Sequence, residues 1–316
     1  MLDGGDWSQG TPEGALEDGR AFARALELLD YDALCIGNHE FDHGVERLAR
    51  LLAEVALPAV LANFESKEGT LDPPAYRVFE RVGLAIAVVG LVSEDTPHIT
   101  HPSARGCTFE EPGRALTRLR KELEGDVDWI LPLTHLGVDG DRALARAHPD
   151  LDLIVGGHSH TVLAEGMREG STLIVQAGSK GSAVGRVDVW FDGGGEVLEM
   201  KAQLVDLYHD PEVRDANAVL DARINGMLER TANEMSEEVG RLEGALRRAE
   251  RPLVSSTAGN FITDAVRAHT GADFALHNRG GIRTNLYAGV VTRRDVFDFA
   301  PFSNHLVVLT LSLIHI

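Results

Sequence analysis

Cys35-Ile36-Gly37-Asn38-His39-Glu40-Phe41-Asp42-His43-Gly44 is the stretch on which the reading of the chain turns. An apolar run over 33–36 stops at Gly37, and side chains that can ligate metal or move protons follow at once. A buried strand that delivers chemistry to its C-terminal edge has this pattern. Asn38 offers a neutral oxygen and His39 an imidazole; Asp42, three residues on, is near enough to orient that imidazole and raise its basicity. The competing reading is a polar loop that caps a helix starting near Val45, with Asp42 or Asn38 as the cap.

Working outward, the same arrangement recurs. Residues 129–133 are apolar and lead into Thr134-His135-Leu136-Gly137; residues 151–155 lead into Gly156-Gly157-His158-Ser159-His160. Towards the N-terminus, Asp6 follows Leu2-Asp3-Gly4-Gly5, the last residues of a strand. Parallel strands present their C-terminal ends at one edge, so Asp6, Asn38, His39, His135, His158 and His160 are expected to gather there. If the Gly-Gly-His-Ser-His segment is extended, side-chain alternation points His158 and His160 to the same side. A single histidine after a strand is more often a satisfied polar residue than a ligand; this succession is not easily read that way.

Between these blocks the periodicity predicts helices over 14–29, from Val45, over 112–123 and over 141–147, with a short strand at 59–62. It also predicts hairpins at 76–92 and, around Asp192-Gly193-Gly194-Gly195, at 184–204. The run Leu84-Ala85-Ile86-Ala87-Val88-Val89 is apolar on both faces, as a strand covered on both sides requires. Asp210-Pro211 has the form of a helix start, with Val213, Leu220, Ile224 and Met227 as its apolar stripe. The region 209–250 is read as a linker between a first domain, 1–208, and a second, 251–316. In the second, helices are predicted at 260–269 and 292–299, and strands at 274–277 and 306–311. The turn Asn278-Arg279-Gly280-Gly281-Ile282-Arg283 has paired glycines flanked by arginines, which suits an anion contact, although solvated arginines on a turn are the commoner case.

Composition narrows the functions. With 30 Lys and Arg against 49 Asp and Glu, the net charge of −19 gives a field that repels nucleic-acid polymers and anionic membranes. An anionic substrate therefore needs local positive charge, from metal ions or a few arginines. Two cysteines, Cys35 and Cys107, supply neither a disulfide framework nor a thiolate zinc site. No stretch approaches the roughly 18–20 apolar residues of a membrane span. Oligomeric state is left open.

These residues resemble the calcineurin-like metallophosphoesterases, and within them the bacterial 5′-nucleotidase family. The blocks that carry the resemblance are Gly5-Asp6, Gly37-Asn38-His39-Glu40, the lone His135 and Gly157-His158-Ser159-His160, followed by Gly259-Asn260-Phe261-Ile262-Thr263-Asp264, the 278–283 turn and Ala300-Pro301-Phe302. The resemblance implies a layered α/β/β/α sandwich followed by a partial α+β C-terminal domain. It implies two divalent metal ions, Mn²⁺, Zn²⁺ or Fe, with Mg²⁺ or Ca²⁺ as further candidates. Asp6 would bridge the ions, Asn38, His135 and His158 would hold one, and His160 the other. His39, oriented by Asp42, would stabilise the transition state or protonate the leaving oxygen. Asn278 would contact a nucleobase, Gly280 and Gly281 would let the ligand approach the backbone, Arg283 would hold phosphate, and Phe302 would stack on the base.

The family's first block, Asp-x-His, has no counterpart here, and its C-terminal domain continues further than residue 316. The expectation is a fragment of a nucleoside 5′-monophosphate hydrolase, periplasmic or extracellular, whose export signal would precede Met1. Two other readings stand beside it. One is a relative acting on 2′,3′-cyclic nucleotides or nucleotide sugars; the other is an inactive nucleotide-binding remnant.

Overall fold

The computed structural model describes residues 1–8, 10–15, 17–209, 217–251, 254–302, 304 and 306–312. Contacts divide the chain into one unit made of Met1–Gln9 and Glu17–Asp221, and a second made of Gly10–Leu16 and Ala222–Ile316.

Two sheets form the body of the first unit. Strands β1 (Leu2–Asp3), β2 (Ala33–Cys35) and β3 (Ala59–Val60) run parallel in that order. The larger sheet contains β4 (Tyr76–Arg81), β5 (Leu84–Val92), β6 (Trp129–His135), β7 (Leu153–Val155), β8 (Met167–Glu169) and β9 (Thr172–Val175), in the order β8-β9-β7-β6-β5-β4. Its four central strands are parallel and its two edges antiparallel.

Side-chain alternation explains why the sheets stack. Ala33 and Cys35 of β2 and Val60 of β3 face Val88, Leu131, Leu133, Leu153, Leu173 and Val175 of the larger sheet. The residues between them point the other way. Leu34 packs on helices α1 (Arg20–Leu26) and α2 (Val45–Glu54) through Ala23, Leu26 and Leu51. Leu91, Ile154 and Ile174 pack on α3 (Pro112–Glu122) and α4 (Gly137–Ala147) through Leu116, Leu119 and Leu144. This is the expected α/β/β/α sandwich. Each large aliphatic side chain buried in these layers contributes roughly 1.5–3 kcal/mol. Helix α3 starts at Pro112 because Glu111 accepts hydrogen bonds from the Gly113 and Arg114 N–H groups at 2.8 Å. A further hairpin, β10 (Ala183–Phe191) with β11 (Val197–Asp206), follows the predicted pattern.

The parallel register is what positions the site. Val92 pairs with His135 and Leu133 with Val155, so the strands stop side by side and their ligand-bearing loops leave one edge.

Four local expectations are corrected. The helix predicted over 14–29 is broken: Pro12–Ala15 and α1 are separated by Glu17, Asp18 and Gly19, all with positive φ, which a right-handed helix cannot accommodate. Helix α4 starts four residues earlier than expected, at Gly137. The segments 274–277 and 306–311 form no strand among the described residues. Phe274 and Leu276 are 57% and 90% exposed, and Leu306 to Leu309 are exposed as well. Their composition favours strand, but strand propensity is realised only against a partner.

The predicted helix start at Asp210-Pro211, with Val213, lies outside the described residues. Helix α5 (Ala218–Met235) is described; Met227 on its stripe is buried but Ile224 is exposed. Strand β12 (Glu238–Leu242) pairs antiparallel with β13 (Gly289–Thr292). Helices α6 (Thr257–Thr270) and α7 (Arg293–Phe299) occur where helices were expected. Ala258, Ile282, Leu286 and Phe299 form the small core. Among the described residues no helix is long and apolar enough to cross a membrane.

Candidate metal centre

Asp6 lies three residues beyond β1, at φ 62°, with its carboxylate turned towards the end of β6. His135 closes β6 and is 1% exposed. Its Nδ1 donates to the Gly4 carbonyl at 2.6 Å, which aims Nε2 at Asp6 Oδ2, 3.0 Å away. His158 Nδ1 lies 3.2 Å from the same Nε2. One donor atom from each of Asp6, His135 and His158 thus falls within 4.8 Å of the other two. Backbones must approach closely for this: a side chain at Gly37 would overlap Asp6 Oδ1, and one at Gly157 would overlap the Gly4 carbonyl.

Asn38 is 4% exposed, and its Oδ1 has no hydrogen-bond partner. A buried amide oxygen left bare costs about 1–3 kcal/mol, so it needs an explanation. The one carboxylate and two imidazoles are donors that divalent ions accept, and an amide oxygen is another donor of that kind. The residues present fit a divalent ion.

His39 flanks the cluster. Its backbone N–H donates to Asp6 Oδ1 at 2.9 Å, and its Nε2 is 4.0 Å from Asp6 Oδ2. Asp42 Oδ2 is 2.6 Å from His39 Nδ1, while Thr100 Oγ donates to Asp42 Oδ1 at 3.0 Å. Neither Asp42 nor Asn38 caps the following helix. The residue before α2 is Gly44, at φ 91°, and the first helical N–H, of Val45, donates instead to Ser103 Oγ at 3.1 Å.

The electrostatics follow from this packing. Burial acts to raise the Asp6 carboxyl, but the charge and hydrogen bond of His135, with His39 beyond, hold it well below the usual carboxylate range. His135 is raised in turn, Asp6 outweighing its burial. Burial and then the His135 charge lower His158 to about 4, leaving that ring neutral with a lone pair to give. For His39, burial acts to lower the pKa; the Asp42 hydrogen bond and the charges of Asp6, Asp42 and Glu40 raise it on balance.

One expectation about the loop is corrected. His158 and His160 have φ 75° and 56°, so the segment is left-handed at both and side-chain alternation does not govern them. His158 joins the cluster and His160 is exposed, close enough for its charge to act on His158.

Glu40, 4% exposed, was not singled out from the sequence. It accepts from the N–H groups of Gly37 (2.7 Å), Asp6 (2.9 Å) and Ser8 (3.1 Å), and so ties the Asp6 and Asn38 loops together. Burial and the Asp6 charge push it up to about 7. The signal was an acid inside a turn otherwise made of candidate ligands.

The sequence profile of the calcineurin-like phosphoesterases matches residues 1–162. The chain belongs to that family. A second profile, the 5′-nucleotidase C-terminal domain, matches residues 238–312. The chain is 30% identical to a 5′-nucleotidase of Vibrio cholerae over 354 residues, covering 96% of itself and 64% of that protein. It is also 30% identical to protein UshA of Escherichia coli over 359 residues, covering 97% and 65%. The crystal structure of a 5′-nucleotidase precursor from Thermus thermophilus superposes with a TM-score of 0.83 at 30% identity, over 96% of this chain and 64% of that one. The chain thus spans slightly under two thirds of these relatives.

In the second unit, Asn278 precedes a 3₁₀ turn, Arg279–Gly281, closed by the Gly281 N–H on the Asn278 carbonyl at 3.1 Å. Gly281 is buried, and a side chain there would crowd His277 Nε2 and Asn278 Oδ1; Gly280 is exposed. Arg283 is anchored through its N–H on the Phe299 carbonyl at 2.9 Å, and its guanidinium lies 5.6 Å from the centre of the Phe302 ring. The structure brings Arg283 and Phe302 together in a cation–π pair.

Proposed function

We propose that this protein is a metal-dependent phosphomonoesterase acting on nucleoside 5′-monophosphates, with phosphate and the nucleoside as products. The observation that carries this reading is the convergence of Asp6, His135 and His158; it is supported by the bare buried oxygen of Asn38, the neighbour in sequence of His39, whose N–H donates to Asp6. His160 is proposed as a ligand of a second ion. Bound divalent ions would neutralise phosphoryl oxygens and make a bound water nucleophilic near neutral pH.

The chain's own groups supply the rest. Asp6 and Asn38 are fixed by Glu40 and by the tight glycine turns, so the donors need not reorganise. Asp42 holds Nδ1 of His39, which leaves Nε2 as the atom that carries a proton towards the ester oxygen as it departs. In the second unit, Arg283 offers a fork of donors suited to phosphate, Phe302 a stacking face, and Asn278 an amide able to pair with a base edge. The nucleotide class rests on these residues and on the 5′-nucleotidase match over 238–312. The same resemblance supports action in the periplasm or outside the cell.

The test is phosphate release from AMP by the purified chain in Mn²⁺, Zn²⁺ or Co²⁺, beside 2′,3′-cyclic AMP and a nucleotide sugar. AMP should be the best substrate, and His39→Ala should lower kcat about 10²–10⁴-fold. Faster turnover of the cyclic or sugar nucleotide would move the substrate class. Nucleotide binding with no turnover of any would leave a binding protein.

A further inference from the structure

Gln176 follows β9 directly, is 3% exposed, and lies outside the ligand-bearing blocks of the sequence. Both ends of its amide are used on one loop. Nε2 donates to the Gly157 carbonyl at 2.9 Å; Oε1 accepts from the Thr161 N–H at 2.6 Å and from Ser159 Oγ at 3.0 Å. These three contacts bracket His158 and His160, the two residues held in left-handed backbone. Such backbone is unfavourable for side chains with a Cβ and persists only where the surroundings over-determine it. Ser159 is itself held, its Oγ accepting from the Val138 N–H at 3.1 Å, and the Gly157 carbonyl also takes the Gly137 N–H at 3.2 Å.

We infer that Gln176 is the positioning residue for the histidine loop: its amide, by gripping the loop on both sides, sets where His158 and His160 point and thereby the metal affinity of the centre. The chemistry requires a group with a donor and two acceptor sites at the end of a three-bond stem. Glutamate keeps the shape but loses the donor, and sets a carboxylate against the Gly157 carbonyl. Methionine keeps the length and loses all three bonds. Outer partners of this kind typically change metal affinity 10–100-fold.

The inference rests on the reading of Asp6, His135 and His158 as a metal centre, and the experiment separates the two. Co²⁺ binding is measured by calorimetry and by the visible spectrum for the parent chain, Gln176→Glu and Gln176→Met, with the thermal midpoint of each metal-free protein as the check on folding. The expected result is a 10–100-fold weaker Co²⁺ affinity and an altered visible spectrum in both variants, whose metal-free forms still unfold cooperatively at midpoints lowered by the lost bonds. Parent-like affinity and spectrum in the variants overturn the positioning role and leave the metal centre standing. A parent chain that takes up no Co²⁺ overturns both. If the Gln176 variants do not fold, Ser159→Ala, at an exposed position, removes one of the three contacts. Affinity there should fall several-fold, and an unchanged value overturns the inference.

Discussion

At the scale of single residues, Asn38 is the most informative position. Every other candidate donor in the cluster has a partner within the protein; the Asn38 oxygen is buried and has none. That predicts an opposite response of the metal-free and metal-loaded forms to Asn38→Leu, a change that roughly keeps the volume. The metal-free variant sheds a bare acceptor that costs about 1–3 kcal/mol, so its thermal midpoint should equal or exceed the parent's. The rise in midpoint on adding Mn²⁺ or Zn²⁺ should shrink, because that rise grows with affinity. A rise as large as the parent's would remove Asn38 from the ligand set. His39 and Asp42 were legible as a pair from their spacing, and the structure sets them 2.6 Å apart. Glu40 was not, because its partners, the N–H groups of Asp6 and Ser8, are more than thirty residues away.

Among the elements, α7 is the one whose start is most fully determined by side chains. Thr292 Oγ accepts from the Asp295 N–H, and Asp295 accepts from the Thr292 N–H at 2.8 Å, a complete capping box. Thr292→Ala should cost about 1 kcal/mol, within a usual range of roughly 0.5–2. Hydrogen exchange of residues 293–299 and a lowered urea midpoint would register it, and Thr292→Ser should recover most of the loss. The unpaired segments 274–277 and 306–311 make the converse point. Their residues favour strand, yet no described strand hydrogen-bonds to them. Helices close their hydrogen bonds within one segment, so α6 and α7 were readable; a strand needs a partner that local sequence does not name.

Taken as a whole, the molecule shows a contact of very long sequence separation inside its second unit. Glu13, carried on Gly10–Leu16, is 7% exposed and paired with Arg294, 281 positions away. Thr231 Oγ donates to the same carboxylate at 2.6 Å. Burial acts to raise the Glu13 carboxyl, but the bonds from Arg294 and Thr231 outweigh it and lower it to about 2. A carboxyl whose folded pKa lies below its unfolded value stabilises the protein above the unfolded pKa, and loses that effect as pH falls through the folded one. Here the window runs from about 4.5 down to about 2. Glu13→Gln should therefore cost about 1–3 kcal/mol at pH 7, discounted for the partly exposed Arg294, and the gap to the parent should close below pH 4.5. Thermal midpoints of both proteins from pH 7 to 3 measure it; a pH-independent gap would assign the loss to packing.

Local sequence by itself determined strands buried on both faces and the order of ligand-capable strand ends, because both rest on short-range signals; the two-sheet layering was implied by the family resemblance. Apolar runs that stop at Gly37 or His135 are visible in consecutive residues, but because 33–36 and 153–155 are apolar throughout, which of Leu34, Ile154, Ala33 and Leu153 faces the second sheet was settled by tertiary packing. Tertiary structure alone decided the left-handed turns at Asp6, His158 and His160, the seat of Glu40 beneath two loops, and the union of Glu13 with Arg294. Each of these is unfavourable or indifferent locally. A left-handed residue, a buried carboxyl or a desolvated ion pair becomes stable only when groups distant in the chain supply its hydrogen bonds, and no short window of sequence contains both partners.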